Sequence, residues 1–147
     1  MKYVIDTSAL AKVFLAEADR EKAVGLLTSS IRREIELHAP SLLLYEMNNV
    51  LVSNEITGRA YDDVIRFLFA WIKAGVLLVH EVDEDLLRRT EAIASIDTQG
   101  QGHISSFDAT FHALAIRLGA QFVTADKAYV RKTSVLVGHV VELASIP

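Results

Sequence analysis

Lys2-Tyr-Val-Ile-Asp-Thr-Ser-Ala-Leu-Ala-Lys-Val-Phe-Leu-Ala-Glu17 changes its period at Asp6. Up to Asp6 the run is short, apolar and rich in strand formers, as a buried strand is. From Thr7 onward, Leu10, Val13 and Phe14 fall at i, i+3 and i+4, which predicts a helix over 7–17. The rest of the chain repeats this alternation. Arg20 to Leu37 carries a helical face of Ala23, Leu26, Leu27, Ile31 and Ile35, and His38-Ala-Pro40 reads as a brief extended segment. Ser41 is placed as the cap of a helix reaching Ile56, with Gly58 as its stop. Arg59–Ala74 reads as a helix ending at Gly75, Val76–His80 as a strand, Asp83–Ile96 as a helix and Thr98–His103 as a loop. Ser105–Leu118 is a helix closed by Gly119. Gln121–Thr124 is a strand, Asp126–Lys132 a short helix and Val135–Val137 a last strand. Short, continuously apolar strands separated by helices predict one α/β domain over residues 1–147. Its parallel sheet has four or five strands, with helices on both faces.

Composition narrows the chemistry. The 147 residues include no cysteine, which removes disulfides, thiolate nucleophiles and thiolate-bound metals and suits a reducing cytoplasm, the expected location. Hydrophobic residues make up 51%, with seven Gly and two Pro, which argues against disorder. The apolar run Phe67–Ile72 is interrupted by Lys73, far short of the roughly 18 residues that a membrane span needs. Asp6 stands where an export signal needs an apolar run, so neither membrane insertion nor export is expected.

Ligand sites in open parallel sheets form beyond the carboxyl ends of strands. Asp6 ends the first strand, Asp126 follows the Phe122-Val-Thr124 strand and Asp108 lies in the first turn of the Ser105 helix. Each has a structural alternative: Asp6 and Asp126 as N-caps, Asp108 as the acid of a capping box begun by Ser105. Glu46 lies about five residues inside its helix, beyond the reach of the N-terminal dipole. It flanks the apolar stripe of Leu43, Met47, Val50 and Leu51, with Asn49 beside it. Its alternative is a solvated face. Taken together, four acids without cysteine make an all-oxygen donor set, the kind that selects Mg²⁺ or Mn²⁺.

These residues resemble a known family. Tyr3-Val-Ile-Asp6-Thr-Ser-Ala-Leu10, Leu44-Tyr-Glu46-Met-Asn-Asn-Val-Leu51, Phe107-Asp108-Ala-Thr-Phe-His-Ala-Leu-Ala115 and Phe122-Val-Thr-Ala-Asp126 are similar, in order and spacing, to the motifs of PIN-domain ribonucleases. The closest resemblance is to the VapC-type toxins of prokaryotic toxin–antitoxin pairs. The resemblance implies a PIN-like fold in which Asp6, Glu46, Asp108 and Asp126 bind the metal and Thr7, Ser8 and Thr124 support them. It also implies metal-dependent endonucleolytic cleavage of RNA with Mg²⁺ or Mn²⁺, and a cognate antitoxin as partner. A housekeeping RNA-processing nuclease and a non-catalytic RNA-binding module are the alternatives within this fold. An aspartyl-phosphate phosphatase wants an acid two residues after Asp6, where Ser8 stands. A receiver domain wants paired acids at the first strand, whereas Asp62-Asp63 lies in a helix.

Several further features enter as expectations. The net charge of −4 is unusual for a nucleic-acid binder, but setting the four acids aside leaves equal numbers of acidic and basic residues. Lys127, Arg131 and Lys132, just after Asp126, are candidate phosphate contacts, with a solvated helix end as the alternative. His112 lies four residues after Asp108 and is expected to be a packed surface histidine, with a supporting role at the site as the alternative. The Arg59–Ala74 helix has two apolar stripes. One is Tyr61, Val64, Ile65, Leu68 and Ile72; the other is Phe67, Trp71 and Ala74. The second stripe predicts a homodimer or another helical partner. Gly100-Gln-Gly102 lacks the strand and third glycine of a dinucleotide fingerprint.

Overall fold

The computed structural model describes residues 1–134 and 139–147. Its five strands are β1 (Lys2–Ile5), β2 (Glu36–Pro40), β3 (Leu77–His80), β4 (Gln121–Thr124) and β5 (Val140–Glu142). They form one sheet in the order β3-β2-β1-β4-β5, and every pairing is parallel. The expected strand at Val135–Val137 lies outside the described residues. Parallel neighbours need crossovers, supplied here by α1 (Thr7–Leu10), α2 (Arg20–Ile31), α3 (Leu42–Ser53), α4 (Gly58–Lys73), α5 (Glu84–Ala94), α6 (Ser106–Leu118) and α7 (Lys127–Lys132).

Successive strand residues point to opposite faces of a sheet. Val4 and Ile5, and likewise Phe122 and Val123, are fully buried, so both faces are covered, as the apolar runs predicted. Leu37, Leu43, Met47, Leu51, Leu86, Phe111 and Leu114 fill the space between sheet and helices. No helix among the described residues is long and apolar enough to cross a membrane.

The strand order reverses at β1. The chain builds outward from β1 through β2 to β3, then returns to place β4 on the other side of β1. Loops leaving the carboxyl ends of β1 and β4 therefore diverge and leave a crevice between them. Asp6 and Asp126 stand on those two loops.

Local signals misplace several boundaries. The predicted helix over 7–17 is α1 alone, followed by a 3₁₀ turn at Ala11–Val13. There Phe14 stacks on Trp71 of α4 at 5.6 Å, a tertiary contact that overrides helical spacing. The helix predicted to reach Leu37 ends at Ile31, and the segment from Glu36 is β2. Arg33 adopts a left-handed φ of 62°, and its guanidinium donates to the carbonyls of Ala74 and Gly75 at 2.6 and 2.8 Å. Those partners are some forty residues away, so no local pattern announces the turn. Ser41 is itself helical and makes no cap; its hydroxyl donates to Glu81 instead. α3 stops at Ser53, and Glu55 takes the left-handed turn with φ 57°. Gly58, read as a stop, opens α4 at φ 59°.

Candidate functional site

The crevice at the switch point is a cleft of about 460 Å³. All four predicted acids, Asp6, Glu46, Asp108 and Asp126, line it, together with Thr7, Ser8, Leu42, Tyr45, Asn49, Val50 and Phe107. The acids arrive from four separate segments: the end of β1, the middle of α3, the first turn of α6 and the loop after β4.

Asp6 is the most tightly built. Its backbone continues the sheet, donating from N to the Val123 carbonyl at 2.9 Å. Its carboxylate makes no cap for α1, so the capping reading of Asp6 does not hold. Instead Oδ2 accepts from Ser8 Oγ at 2.8 Å and from Thr124 Oγ1 at 2.7 Å. Those hydroxyls have their own orientation fixed: Ser8 Oγ accepts from the Ala125 amide at 3.1 Å, and Thr124 Oγ1 from the Asp126 amide at 3.0 Å. With a lone pair of each occupied by a backbone N–H, each hydroxyl turns its proton to Asp6. Thr124 is fully buried, outside the cleft lining, and acts on Asp6 from behind. Thr7 Oγ1 donates to Glu46 Oε1 at 2.8 Å. Thr7, Ser8 and Thr124 thus each hold the carboxylate of one acid.

Asp126 fulfils its capping alternative while facing the cleft. Its Oδ1 accepts from the amides of Ala128 and Tyr129 at 2.9 and 3.2 Å. At α6 the cap is Ser105, whose Oγ accepts from the Asp108 amide at 3.1 Å. Glu46 is half-buried at the cleft, not a solvated face residue.

The electrostatics are those of acids without counter-ions. Among the described residues, none of the four takes part in an ion pair. Burial pushes the Asp6 carboxyl up to about 6; the Thr124 and Ser8 hydroxyls oppose the shift and the charge of Asp108 adds to it. Burial raises Glu46 too, against the Thr7 hydroxyl, with Asp6 and Asp108 contributing repulsion. Asp108 is raised by burial and then by Asp126, with the Ser105 hydroxyl and, less strongly, Lys132 pulling the other way. Of the candidate phosphate contacts, Lys132 therefore shares its field with the site, while the exposed Lys127 and Arg131 do not line the cleft.

An all-oxygen set of repelling carboxylates suits a hard divalent cation. The side chains are not a finished cage: among the described residues, no three acid or histidine groups are arranged to hold an ion as they stand. Glu46 is held by Thr7, and one oxygen of Asp126 is engaged in its cap, so closing the set requires side-chain rotation.

His112 corrects the expectation of a surface residue. It is fully buried, stacked on Phe122 at 5.7 Å, and its Nδ1 shares a hydrogen bond with the Tyr129 hydroxyl at 2.9 Å. Burial drives it down to about 4, so the ring is neutral at physiological pH. It anchors α7, whose first turn carries the amides that hold Asp126. Its Nε2 has no partner among the described residues. The exposed aromatics of the cleft, Tyr45 and Phe107, drew no role from sequence. Their signal was an apolar ring beside an acid and off the buried stripe of its helix.

An acid-lined cleft at the reversal point of a small parallel sheet occurs in several classes of protein, and the sequence matches one of them. The model of that class, the PIN domain, matches residues 3–135, and the chain belongs to the PIN-domain family. Within it, the chain is 30% identical over 141 residues to Ribonuclease VapC3 of Pyrobaculum aerophilum, covering 93% of this chain and 98% of that one. The fold is similar to VapBC2 from Rickettsia felis, solved bound to a DNA fragment from their promoter (TM-score 0.67, 11% identity, 97% and 98% of the two chains). It is also similar to VapC20 of Mycobacterium tuberculosis, a sarcin-ricin loop cleaving toxin (TM-score 0.64, 21% identity, 94% and 98% covered).

Asp6 carries a testable stability cost. An acid whose folded pKa lies above its ordinary 3.8 binds its proton more tightly when folded, so stability falls as pH rises from about 4 to about 6. Two pKa units correspond to about 2–3 kcal/mol. Asp6→Asn is expected to melt about 5–10 °C above wild type at pH 7.5 without divalent ions, and with wild type at pH 4. Mn²⁺ is expected to raise the wild-type melt more than the variant's. Identical melts at both pH values would contradict this picture of Asp6.

Proposed function

We propose that the protein is a metal-dependent endoribonuclease, the toxin of a toxin–antitoxin pair. The observation that carries this reading is the gathering of four acids in one cleft with no cationic partner. That arrangement costs stability unless a cation joins it, and so is hard to explain as packing alone. The family and the relative named Ribonuclease VapC3 support RNA as the substrate.

Asp6, Glu46, Asp108 and Asp126 would hold Mg²⁺ or Mn²⁺, which when bound supplies charge neutralisation at a phosphate and a more acidic water. The chain's own part is positioning. Ser8 and Thr124 hold one oxygen of Asp6 and leave the other free for the cleft. Thr7 orients Glu46, and the α7 amides fix Asp126. Asp6 must lose its proton before it can act as a ligand, so occupancy rises with pH through about 6. Lys132, whose charge reaches Asp108, would be the first phosphate contact, with Lys127 and Arg131 on the same short helix as further candidates. RNA as target, and a chain without cysteine, suit action in the cytoplasm.

The partners we infer are a cognate antitoxin and a second copy of the chain. Trp71 of α4 is half-buried against Phe14, while Phe67 stacks on its outer side at 6.0 Å and is 55% exposed. This row of rings supports the Phe67/Trp71 stripe as the dimer contact. Light scattering at micromolar concentration is expected to return twice the chain mass for wild type and the single-chain mass for Phe67→Asp. A monomeric wild type would contradict the dimer.

Activity is tested on a mixed RNA pool with Mn²⁺ or Mg²⁺. Glu46→Gln and Asp108→Asn are each expected to lower the rate at least about a hundredfold, the loss of several kcal/mol of charge stabilisation. Ser8→Ala, which only frees Asp6, is expected to cost about tenfold. The wild-type rate is expected to rise between pH 5 and 7. Cleavage that survives chelation, or acid variants that cut at the wild-type rate, would overturn the assignment.

A further inference from the structure

Two large aromatic rings stand open at the mouth of the acid cleft. Tyr45 is 82% exposed and Phe107 61%, and both line the cleft. Single exposed apolar residues need no explanation, but these two share a position. Each directly precedes a site acid, Tyr45 before Glu46 on α3 and Phe107 before Asp108 in the first turn of α6. Among the described residues neither ring packs on another aromatic, and the Tyr45 hydroxyl enters no hydrogen bond. Nothing in the described fold uses them.

The charge of the cleft says what kind of ligand they suit. Its lining holds four acids and neither Lys nor Arg. The lining itself offers a strand no cationic side chain, so the nucleotides beside the bound phosphate need another source of affinity. Ring faces supply the alternative, because every base has a π-face that stacks on Tyr or Phe whatever its sequence. A base inside a duplex is already stacked and paired, so it cannot reach such a platform without being unstacked.

We propose that Tyr45 and Phe107 are stacking platforms for unpaired bases flanking the phosphate that enters the cleft. The inference rests on the ribonuclease reading above and adds to it the two residues that hold the bases beside the cut. Stacking acts on binding and leaves the acids untouched, so the loss of a ring belongs in KM.

The test uses the full-length protein with Mn²⁺ and an oligoribonucleotide bearing 2-aminopurine beside the cut site, single-stranded or annealed to its complement. Wild type is expected to cut the single strand at least about tenfold faster than the duplex and to quench the 2-aminopurine on binding. Tyr45→Ala and Phe107→Ala are each expected to raise KM between about five- and a hundredfold, the range that one base stack is worth, with kcat within about threefold. Tyr45→Phe and Phe107→Tyr are expected to keep the wild-type KM and quenching, because the ring face is retained, whereas a role for the Tyr45 hydroxyl would lose them in Tyr45→Phe. If wild type cuts RNA but both alanine variants keep its KM and quenching, the stacking inference fails and the ribonuclease reading stands. If an alanine variant instead changes the mass in solution at unchanged KM, the face is a contact between copies and the inference fails. If wild type cuts no RNA, the ribonuclease reading fails and takes the inference with it.

Discussion

The burial of neighbouring carboxylates, whole at Asp6 and partial at Glu46, Asp108 and Asp126, is the constraint around which the molecule is arranged. Asp6, Glu46 and Asp108 are pushed above the ordinary carboxylate range by burial, and each feels the charge of at least one other acid. A fold that needed these positions only for packing would fill them with apolar groups or pair them with Lys or Arg. The hydroxyls of Ser8 and Thr124 reduce the cost at Asp6 without cancelling it, Thr124 from the buried side and Ser8 from the wall of the cleft. The charge is thereby kept and aimed at the cleft.

The sheet makes that aim possible. Reversal of strand order at β1 sets the loops after β1 and β4 on either side of one crevice, and the Ala125 and Asp126 amides of the β4 loop fix the hydroxyls that hold Asp6. The neighbouring β4 strand is stiffened from beneath by Phe122, packed between His112 and Tyr129. Tyr129 in turn belongs to α7, whose amides cap with Asp126. Packing, hydrogen bonding and the placement of charge are thus one continuous structure from core to cleft. The metal chemistry we propose asks little more of the chain than side-chain rotation at the surface of that structure.

Much of this was legible in the sequence where the signal is local. The change of period at Asp6, the Ser105 cap, the Gly119 stop and the Phe122-Val-Thr124 strand all announce themselves within a few residues. The four acids were singled out because Asp6 and Asp126 stand at strand ends, Asp108 in the first turn of a helix and Glu46 off a helix stripe. What local pattern missed was set from afar. The end of α2 is fixed by Arg33 reaching the carbonyls of Ala74 and Gly75. The short α1 is fixed by Phe14 meeting Trp71. His112 was misread because a polar residue on a helix suggests a surface, whereas a buried tyrosine hydroxyl across the fold gives it a partner. Sequence suggested that the acids gather but not their rotamers, which follow from Thr7 holding Glu46 and the α7 amides holding Asp126.

The central claim is that these acids gather to hold a divalent cation, and diffraction from crystals grown with Mn²⁺ tests it most directly. The account predicts an anomalous peak in the cleft, in contact with a carboxylate oxygen of Asp6 and with at least one of Glu46, Asp108 and Asp126, and no such peak in crystals of Asp6→Asn. A cleft without a peak at saturating Mn²⁺, or an ion bound at the same place in Asp6→Asn, would contradict it.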